Sequence, residues 1–442
     1  MQNNNVFKLK HSILIYIMVF FSSLVIFQYN GRSWFLYLQI IFCIVMALST
    51  KKVVLLPYPI INLIFLELIL SAFSGLISNM ADSYKKAAVV MALFMVPMYF
   101  VASYCYILIK KNSGFLTVIV KAFKAMCLLH MVWIPFQYIM YHIVGVDINN
   151  LIFVETLHII EKATFIRSWV YFPSGITYHS AVLAPLFVIS LFLFKSLPVR
   201  LLIIVDSVIC GNSTSTVGVF FAVILMFVFW LMDRHKNKPI RIKFKTIIIA
   251  VLLFIIFIYL FHQFEMKNTL GDRIQYLWQR LFGDETDEST LAHFQYFSDY
   301  FSILKSSSLF QILFGCGEGC SGYYISLFYN RYTSLGNWSI ECDIVNILVN
   351  RGIIGFLLYY GFLFYIMFKG WKKDRRYFIV MSAILIEGFG YNVQWDYTLF
   401  MELIFYFTLK LDINFFEIDT DLTSDVVSDN KKESFLKQKV GM

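Results

Sequence analysis

Apolar runs long enough to cross a lipid bilayer recur along almost the whole chain, and they restrict the fold more than any other sequence feature. A transmembrane helix needs about 20 apolar residues, and this length divides the chain into roughly 12 spans. The spans near 198–211 and 377–392 are short and need not cross completely. The others lie near 12–29, 34–49, 60–78, 87–109, 121–142, 176–194, 214–232, 246–262, 343–368 and 395–410. We therefore predict an all-α polytopic membrane protein.

The charge content agrees with this prediction. Of 442 residues, 59% are hydrophobic and only 15% are charged, which is too little charge for a soluble domain of this length. The net charge of +9 could suggest a nucleic-acid partner. However, the basic residues cluster at the ends of apolar runs, so membrane topology explains them better and we predict no nucleic-acid partner.

The distribution of basic residues predicts the orientation. With the N-terminus in the cytoplasm, 26 of the 37 Lys and Arg residues lie inside, including the dense clusters 234–245 and 369–376. Shifting the frame by one span would place both clusters outside. The first apolar run, 13–27, lacks a small-residue cleavage site and is predicted to be an uncleaved span. We predict that both termini are cytoplasmic.

The predicted topology divides the chain into three parts. Residues 1–410 form the transmembrane domain, and the polar residues 411–442 form a disordered cytoplasmic tail. Residues 263–340 form a large, partly helical outward loop before the tenth span. It is far longer than a connection requires, and long loops in compact proteins are functional or disordered.

Two helices are predicted within this loop. The pattern of residues 272–282 indicates a helix lying on the membrane surface, with Arg273 and Arg280 seven residues apart on nearly the same side. Phe294, Phe297 and Phe301 recur at helical spacing and predict a second helix. We expect the two arginines to point in one direction at the bilayer surface.

The stretch 314–355 carries the most unusual chemistry, and it reads FGCGEGCSGYYISLFYNRYTSLGNWSIECDIVNILVNRGIIGF. It opens with a glycine-rich turn and ends at the apolar run that begins at Gly352. Polar groups at the mouth of a membrane helix are costly unless they face protein or a water-filled cavity. We therefore predict that an active site lies here, at one membrane surface. The polar residues before Gly352 are Ser339, Glu341, Asp343, Asn346, Asn350 and Arg351.

Two acidic residues compete for the role of general base. Glu341 lies outside the apolar run, at the depth where a polar substrate would arrive, and Asp343 follows closely. If the helix already starts at Ser339, then Asp343 and Asn346 share one face and Glu341 points the other way. The alternative for both acids is a structural role at a helix N-terminus, where the helix dipole favours negative charge.

Further residues are predicted to bind substrate. Arginine recognises phosphate in a bidentate manner, which makes Arg167, Arg273 and Arg280 phosphate-binding candidates, although each could be an ordinary interfacial arginine. Ser213 and Ser215 occupy a small outward turn that could contact phosphate or could simply be re-entrant. The remaining candidates are His293, on the outward loop, and Asn346.

Buried acids and cysteines complete the set of chemically active residues. Ionisable residues within spans are functional-site hypotheses by default, but the sequence does not place Glu67, Asp206, Glu387 or Glu402 relative to the site. The seven cysteines show no metal-ligand spacing, and we predict neither a metal site nor a cofactor. Three of them fall in the 314–355 stretch, where two could pair if that side is oxidising or all could be free thiols. These are Cys316, Cys320 and Cys342.

Several short motifs occur in a characteristic order along the chain. Arg167 and Gly175 precede a mid-chain span, 211–216 forms a Ser-x-Ser turn, 314–317 reads FGCG, and 352–355 reads GIIG. Together, over residues 167 to about 361, they resemble the superfamily of O-antigen polymerases (Wzy) and O-antigen ligases. The ligases characteristically carry a histidine eleven residues before the first glycine of the last motif, whereas this chain has Glu341 there. This difference favours the polymerase branch.

The resemblance implies a GT-C-like glycosyltransferase that polymerises undecaprenyl-pyrophosphate-linked oligosaccharide repeat units at the periplasmic face of the bacterial inner membrane. Glu341 or Asp343 would be the base, and Arg167, Arg273 and Arg280 would hold the pyrophosphate. The expected partners are the lipid-linked glycan donor and acceptor, the bilayer, and a chain-length regulator protein. Transfer is expected to be metal-independent.

Three alternatives remain at this point. One is an O-antigen ligase that transfers the glycan to lipid A core. A second is a polysaccharide flippase, although the large outward loop and the lack of related halves favour an enzyme. A third is a membrane acyltransferase, which would need a histidine buried at the catalytic depth, and neither His179 nor His293 has a convincing setting for that role.

Overall fold

The structure, a computed structural model, is built almost entirely from helices. It describes residues 2–29, 32–52, 54–160, 165–167, 170–177, 179–234, 288–323, 340–391 and 396–418. Two short antiparallel hairpins pair β1 (Gln28–Tyr29) with β2 (Arg32–Ser33) and β3 (Phe165–Arg167) with β4 (Val170–Phe172). The helices are α1 (Gln2–Phe20), α2 (Trp34–Thr50), α3 (Pro59–Ile77), α4 (Asp82–Lys111), α5 (Gly114–Ile139), α6 (Ala184–Leu193), α7 (Leu197–Ile209), α8 (Ser213–Arg234), α9 (Glu288–Ser306), α10 (Leu309–Phe314), α11 (Asp343–Lys373), α12 (Arg375–Gly390) and α13 (Asp396–Lys410).

The helices confirm an all-α membrane protein. Within the described part of the chain, five helices are long and apolar enough to cross a membrane: Pro59–Ile77, Asp82–Lys111, Gly114–Val144, Thr214–Arg234 and Asp343–Lys373. Shorter apolar helices cover His11–Phe20, Trp34–Thr50 and Ser180–Leu193. Each predicted span overlaps a helix except 246–262, which lies outside the described residues.

The interior and the lateral surface of the bundle are both apolar. Large side chains such as Phe35, Phe123 and Phe362 are completely buried between helices. Leu93 and Val132 point outward, with exposed fractions of 64% and 66%. A helix that is apolar on every side indicates a membrane environment, because lipid can cover the outer face.

The basic helix ends gather at one end of the bundle. Arg375, the first residue of α12, pairs with Asp233 near the end of α8 at 2.9 Å. Lys410, at the end of α13, lies 5.7 Å above the ring of Tyr58, which precedes α3. Lys373, at the end of α11, pairs with the carboxylate of Asp412, just after α13, at 2.6 Å. The distribution of basic residues along the sequence predicts that all of these helix ends lie on the same side of the membrane.

Residues 411–418, which the sequence analysis assigns to the disordered tail, pack on this end of the bundle. Phe415 and Phe416 have exposed fractions of 0% and 5%. The backbone N–H of Phe415 donates to the hydroxyl of Tyr377 at 2.9 Å. The rest of the predicted tail, 419–442, lies outside the described residues.

Helix α11 is not one straight span, which corrects the prediction for residues 343–368. At Gly352 the backbone leaves the helical region, with φ 65° and ψ −171°. The hydroxyl of Tyr360 nevertheless donates to Oδ2 of Asp343 at 3.1 Å, whereas a straight helix would hold residues 17 apart about 25 Å from each other. The half-helix 343–351 therefore folds back along 353–373, and the apolar crossing segment begins after Gly352.

Candidate functional site

A glycine turn, defined here as residues 315–321, packs against the break in α11. Gly315, Gly317 and Gly319 all have positive φ, which favours glycine. A Cβ atom at Gly315 would overlap the backbone of Asn350, and one at Gly352 would lie 2.5 Å from the amide nitrogen of Gly315. The two backbones can approach this closely only because both contact positions are glycine.

The glycine turn donates hydrogen bonds to the last backbone carbonyls of the half-helix. The N–H of Cys316 donates to the carbonyl of Val349, and the N–H of Gly317 donates to the carbonyl of Asn350, both at 2.9 Å. In an unbroken helix, these carbonyls would accept hydrogen bonds from backbone N–H groups four residues later. The break at Gly352 removes those donors. The turn and the half-helix therefore form one folded unit.

An ion pair strengthens this unit. Nε of Arg351 donates to Oε1 of Glu318 at 2.6 Å, and Nη2 lies 2.5 Å from the same oxygen. The other carboxylate oxygen, Oε2, accepts from the side-chain amide of Asn350 at 3.1 Å. The exposed fractions of the Arg351 and Glu318 side chains are 3% and 13%. Charge-assisted hydrogen bonds of this kind are strong when they are shielded from water.

Ser321 connects the turn to the start of the half-helix. Its hydroxyl donates to Oδ1 of Asn346 at 2.7 Å and accepts from the N–H of Ile340 at 3.1 Å. Its own N–H donates to Oδ1 of Asn350 at 2.8 Å. The residues on either side of segment 324–339 are thus held together by one buried serine.

The polar contacts continue from Arg351 into the bundle. Its guanidinium lies 5.7 Å from the ring centre of Tyr359, whose hydroxyl is 3.2 Å from both carboxyl oxygens of Glu402 on α13. Glu67 on α3 also approaches Arg351, because a Cβ at Gly355 would lie 2.7 Å from the Glu67 carboxyl carbon and would overlap Cβ of Arg351. Glu67 and Glu402 are buried, with exposed fractions of 3% and 1%.

The three cysteines near the turn are buried free thiols. The structure contains no disulfide among the seven cysteines, all of which are described. Burial raises the pKa of Cys320 to about 12 and that of Cys342 to about 11. The thiol of Cys316 donates to the carbonyl of Val349 at 3.0 Å. A thiol with a raised pKa is a poor nucleophile, so these residues contribute packing.

Asp343 and Asn346 lie on α11, and Glu341 precedes this helix. Helix α11 begins at Asp343, so Glu341 lies outside the helix and the condition that the helix starts at Ser339 is not met. Asp343 is 2% exposed and Asn346 is 4% exposed, whereas Glu341 is half-buried. Of the two candidate bases, Glu341 is therefore the more accessible.

The Ser-x-Ser turn and the Gly175 segment meet elsewhere in the bundle. Ser213 is the first residue of α8, and the buried hydroxyl of Ser215 donates to the carbonyl of Asn212 at 3.0 Å. A Cβ at Gly211 would overlap the ring of Phe172, so hairpin β3–β4 packs on this turn. The phosphate-binding role of Ser213 and Ser215 stays a prediction.

Polar side chains fix the turn at Gly175. Its N–H donates to Oε1 of Gln137 and its carbonyl accepts from the side-chain amide of Asn149, both at 2.8 Å. Nδ1 of His130 accepts from the following N–H at 3.2 Å. His179 stacks on Tyr391 with parallel rings 5.4 Å apart. These contacts give Gly175 and His179 defined structural roles.

The remaining candidates lie partly or wholly outside the described residues. Arg273 and Arg280 belong to the stretch 235–287, which the structure does not describe. The backbone of Arg167 ends strand β3 and that of His293 lies in α9, but their side chains are not described.

The partner of Arg351 was not among the predicted site residues. Glu318 lies in the GCGEGC turn, and its signal was an acidic residue within a glycine-rich stretch that already pointed to the site. Glu67 and Glu402 carried the signal of acids within spans, yet only the packing of α3 and α13 on α11 shows that they face the same network. Among the described residues, no three acidic, His or Cys side chains are close enough to hold a metal ion.

Comparisons with known proteins leave the family open. No protein-family model, curated protein or solved structure matches this chain. Any functional assignment therefore depends on the chain's own motifs and on the geometry around the glycine turn.

Proposed function

We propose that this protein is a membrane glycosyltransferase that polymerises undecaprenyl-pyrophosphate-linked oligosaccharide repeat units into O-antigen or a related surface polysaccharide. The reaction takes place at the periplasmic face of the bacterial inner membrane, within a GT-C-like fold of roughly 12 spans. The observation that carries the proposal is the docking of the glycine turn on the half-helix. It brings the FGCG motif against the GIIG motif, at the end of the half-helix that begins at Asp343 and carries Asn346.

The proposed chemistry requires one base and one group that holds the leaving pyrophosphate. The terminal hydroxyl oxygen of a fresh repeat unit attacks the anomeric carbon of the growing glycan, and the bond from that carbon to the pyrophosphate oxygen breaks. The carboxylate of Glu341 takes the hydroxyl proton, with Asp343 as the alternative base. The leaving undecaprenyl pyrophosphate keeps the bonding electrons, and Arg167, Arg273 and Arg280 stabilise its charge.

The test is complementation of a host strain from which the gene has been deleted. Wild-type protein should restore a ladder of surface polysaccharide on a gel, and Glu341→Gln should leave lipid A core capped with single repeats. Glu155→Gln is the matched control, because Glu155 is an exposed acid between the predicted spans 121–142 and 176–194. Full activity of Glu341→Gln would exclude Glu341 as the base, and the same test would then pass to Asp343→Asn.

The deletion strain itself separates the proposed function from its alternatives. Loss of the ladder with single-repeat capping retained is the result expected for a polymerase. Complete loss of capping, with long chains on the carrier lipid, would overturn the proposal in favour of a ligase.

One structural observation favours a second candidate, a flippase for lipid-linked saccharide. Such a transporter needs ionisable groups in its interior, and Glu67, Arg351, Glu387 and Glu402 are all at least 97% buried within the bundle. The same deletion distinguishes this candidate, since loss of a flippase would trap single, unpolymerised units on the inner leaflet.

A further inference from the structure

A groove lies on the lateral surface of the bundle, between α3 and α4. Its volume is about 340 Å³, at the lower end of the range for small-molecule sites. Leu66 and Ile69 from α3 and Ala92 and Val96 from α4 are among the residues that line it. Leu66 and Ile69 have exposed fractions of 51% and 49%, so the groove is open to the side. On a membrane protein, such a surface is in contact with lipid chains.

The sequence of α4 accounts for the space between the two helices. Pro97 lies inside α4, in the part of the helix that lines the groove. A proline at an interior position removes one backbone hydrogen bond and bends the helix. Ala92 adds room at the other end of the groove, because its side chain is a single methyl group. The groove therefore follows from the sequence of the helix that forms one of its walls.

One end of the groove is polar and the other is apolar. The hydroxyl of Tyr99 donates to Oδ1 of Asn62 at 2.7 Å and accepts from the backbone N–H of Leu56 at 3.1 Å. Asn62 lies in the first turn of α3, so these polar groups lie near one end of the bundle. Ile69 and Ala92 form the apolar end, about two turns further along the helices. An amphiphilic ligand would place its polar group near Asn62 and its chain toward Ile69.

Two exposed lysines lie beyond the polar end of the groove. Lys51 and Lys52 follow α2, and the carbonyl of Lys52 accepts from the hydroxyl of Tyr104 on α4 at 3.1 Å. Leu55 lines the groove and is three residues from Lys52, so their Cα atoms are at most about 11 Å apart. Neither lysine forms an ion pair within the part of the chain that the structure describes. Both ammonium groups are therefore available to an anionic ligand.

We propose that this groove binds one acyl chain of an anionic phospholipid, whose headgroup lies at Lys51 and Lys52. The apolar lining suits the chain, and the two ammonium groups suit the headgroup, because lysines next to the membrane attract anionic lipids. A phospholipid without net charge would fill the groove equally well but would gain less from the lysines. The inference does not depend on whether the protein polymerises saccharides.

The lipid site lies on the two helices that support the glycine turn. A Cβ atom at Gly75 on α3 would overlap the carbonyl of Cys316, and one at Gly317 would lie 2.5 Å from Cβ of Ala88 on α4. Gly75 is six residues beyond Ile69, which is about 9 Å along the helix axis. A phospholipid that holds α3 and α4 together therefore stabilises the surface on which the glycine turn packs.

Native mass spectrometry of the full-length protein tests the headgroup contact. Lipid-depleted protein in detergent is mixed with dioleoyl phosphatidylglycerol, which is anionic, or with dioleoyl phosphatidylcholine, which has the same chains and no net charge. We expect the wild-type protein to bind one phosphatidylglycerol molecule with at least about fivefold higher affinity. Lys52→Gln should lower this affinity about fivefold, because one lysine near an anionic headgroup contributes about this factor. Lys195→Gln, at an exposed lysine after α6, is the matched control and should leave the affinity unchanged.

A second pair of variants tests the position of the chain. Ala92→Phe fills the groove and should abolish the binding of phosphatidylglycerol. Leu93→Phe adds similar bulk on the outer face of α4, where Leu93 is 64% exposed, and should not change the binding. Thermal unfolding of each variant shows whether it has folded.

The wild-type comparison keeps the test decisive if a variant fails to fold. Equal affinities of the wild-type protein for the two phospholipids would overturn the proposal. Unchanged binding of phosphatidylglycerol by folded Ala92→Phe would also overturn it, because the chain would then lie elsewhere. So would a polyprenyl phosphate that purifies with the wild-type protein and is lost from Ala92→Phe, since the groove would then hold a lipid carrier. Saccharide polymerisation is measured separately by the gel assay.

Discussion

At the scale of single residues, Arg351 joins the glycine turn to acidic and aromatic side chains inside the bundle. Its guanidinium pairs with Glu318, lies against the ring of Tyr359 and faces the carboxyl of Glu67. The sequence placed Arg351 in the stretch 314–355 and identified Glu67 as an acid within a span. It could not predict their contact, because residues so far apart in the chain meet only through the packing of α3 on α11.

Glu318→Gln should destabilise the protein by about 3 kcal/mol, since it removes one partner of a buried ion pair and leaves Arg351 charged. Glu402→Gln should change the free energy of unfolding by less than about 1 kcal/mol, because an amide oxygen can still accept from Tyr359. Thermal unfolding in detergent, followed by tryptophan fluorescence, compares the two variants. Equal losses of stability would show that the ion pair has no special role.

Cys316, Cys320 and Cys342 should react slowly with maleimide in the folded protein. Burial raises the pKa of Cys320 to about 12 and that of Cys342 to about 11, so almost no thiolate exists at neutral pH. Mass spectrometry after labelling should find these thiols modified only once denaturant is added. Asn112→Cys provides a reactive control at an exposed position. Rapid labelling of these thiols before unfolding, or a disulfide between any two of these cysteines, would contradict the structure.

At the scale of elements, hydropathy predicted the helices well but not the break in α11. The mean hydropathy of residues 343–368 is high enough for one span despite the polar residues before Gly352, and hydropathy contains no information about φ. The sequence also left the first residue of this helix undecided, and in the structure the helix begins at Asp343. Hydropathy also could not predict how α10 ends. Gly315, the residue after this helix, has a positive φ that directs the chain into the glycine turn.

Gly352→Ala should strongly destabilise the half-helix. The positive φ costs an alanine about 1–3 kcal/mol, and its Cβ would lie 2.5 Å from the backbone of residues 313 and 315. Gly361→Ala is the matched control on the same helix, because its Cβ would meet nothing within 4 Å. That change should be neutral or slightly stabilising, by about 0.5–1 kcal/mol. Thermal unfolding of the two variants checks the difference, and similar midpoints would argue for a straight α11.

The segment after α13 depends on Asp374 and should loosen in acid. Burial favours the neutral carboxyl, but hydrogen bonds from Arg376 and Asn414 outweigh it and lower the pKa of Asp374 below its usual 3.8. A lowered pKa means that this contribution is complete above about 3.8 and is lost as the pH falls through the folded value. The protection factor of the Phe415 amide, which corrects for the intrinsic pH dependence of hydrogen exchange, should therefore fall in acid. In Asp374→Asn the protection factor should be low at every pH, and an unchanged protection factor would exclude this role.

At the scale of the whole molecule, the positions of the basic residues predicted which helix ends lie together. Contacts at Asp233, Arg375, Lys373 and Lys410 join the ends of α8, α11 and α13 at one end of the bundle. Charge patterning works here because it reports on each helix end separately. The network around Arg351 could not be read in this way, since it depends on which helices become neighbours.

The predicted orientation places the basic end in the cytoplasm and the glycine turn outside, and reporter fusions can test it. Alkaline phosphatase is active only outside the cytoplasm, and a fusion after Glu288 should therefore be active. A fusion after Lys111, at the basic end of α4, should be inactive. Both fusions should be checked for equal expression. If the activities are reversed, the glycine turn faces the cytoplasm, where polymerisation of translocated repeat units cannot take place, and the proposed function falls with the orientation.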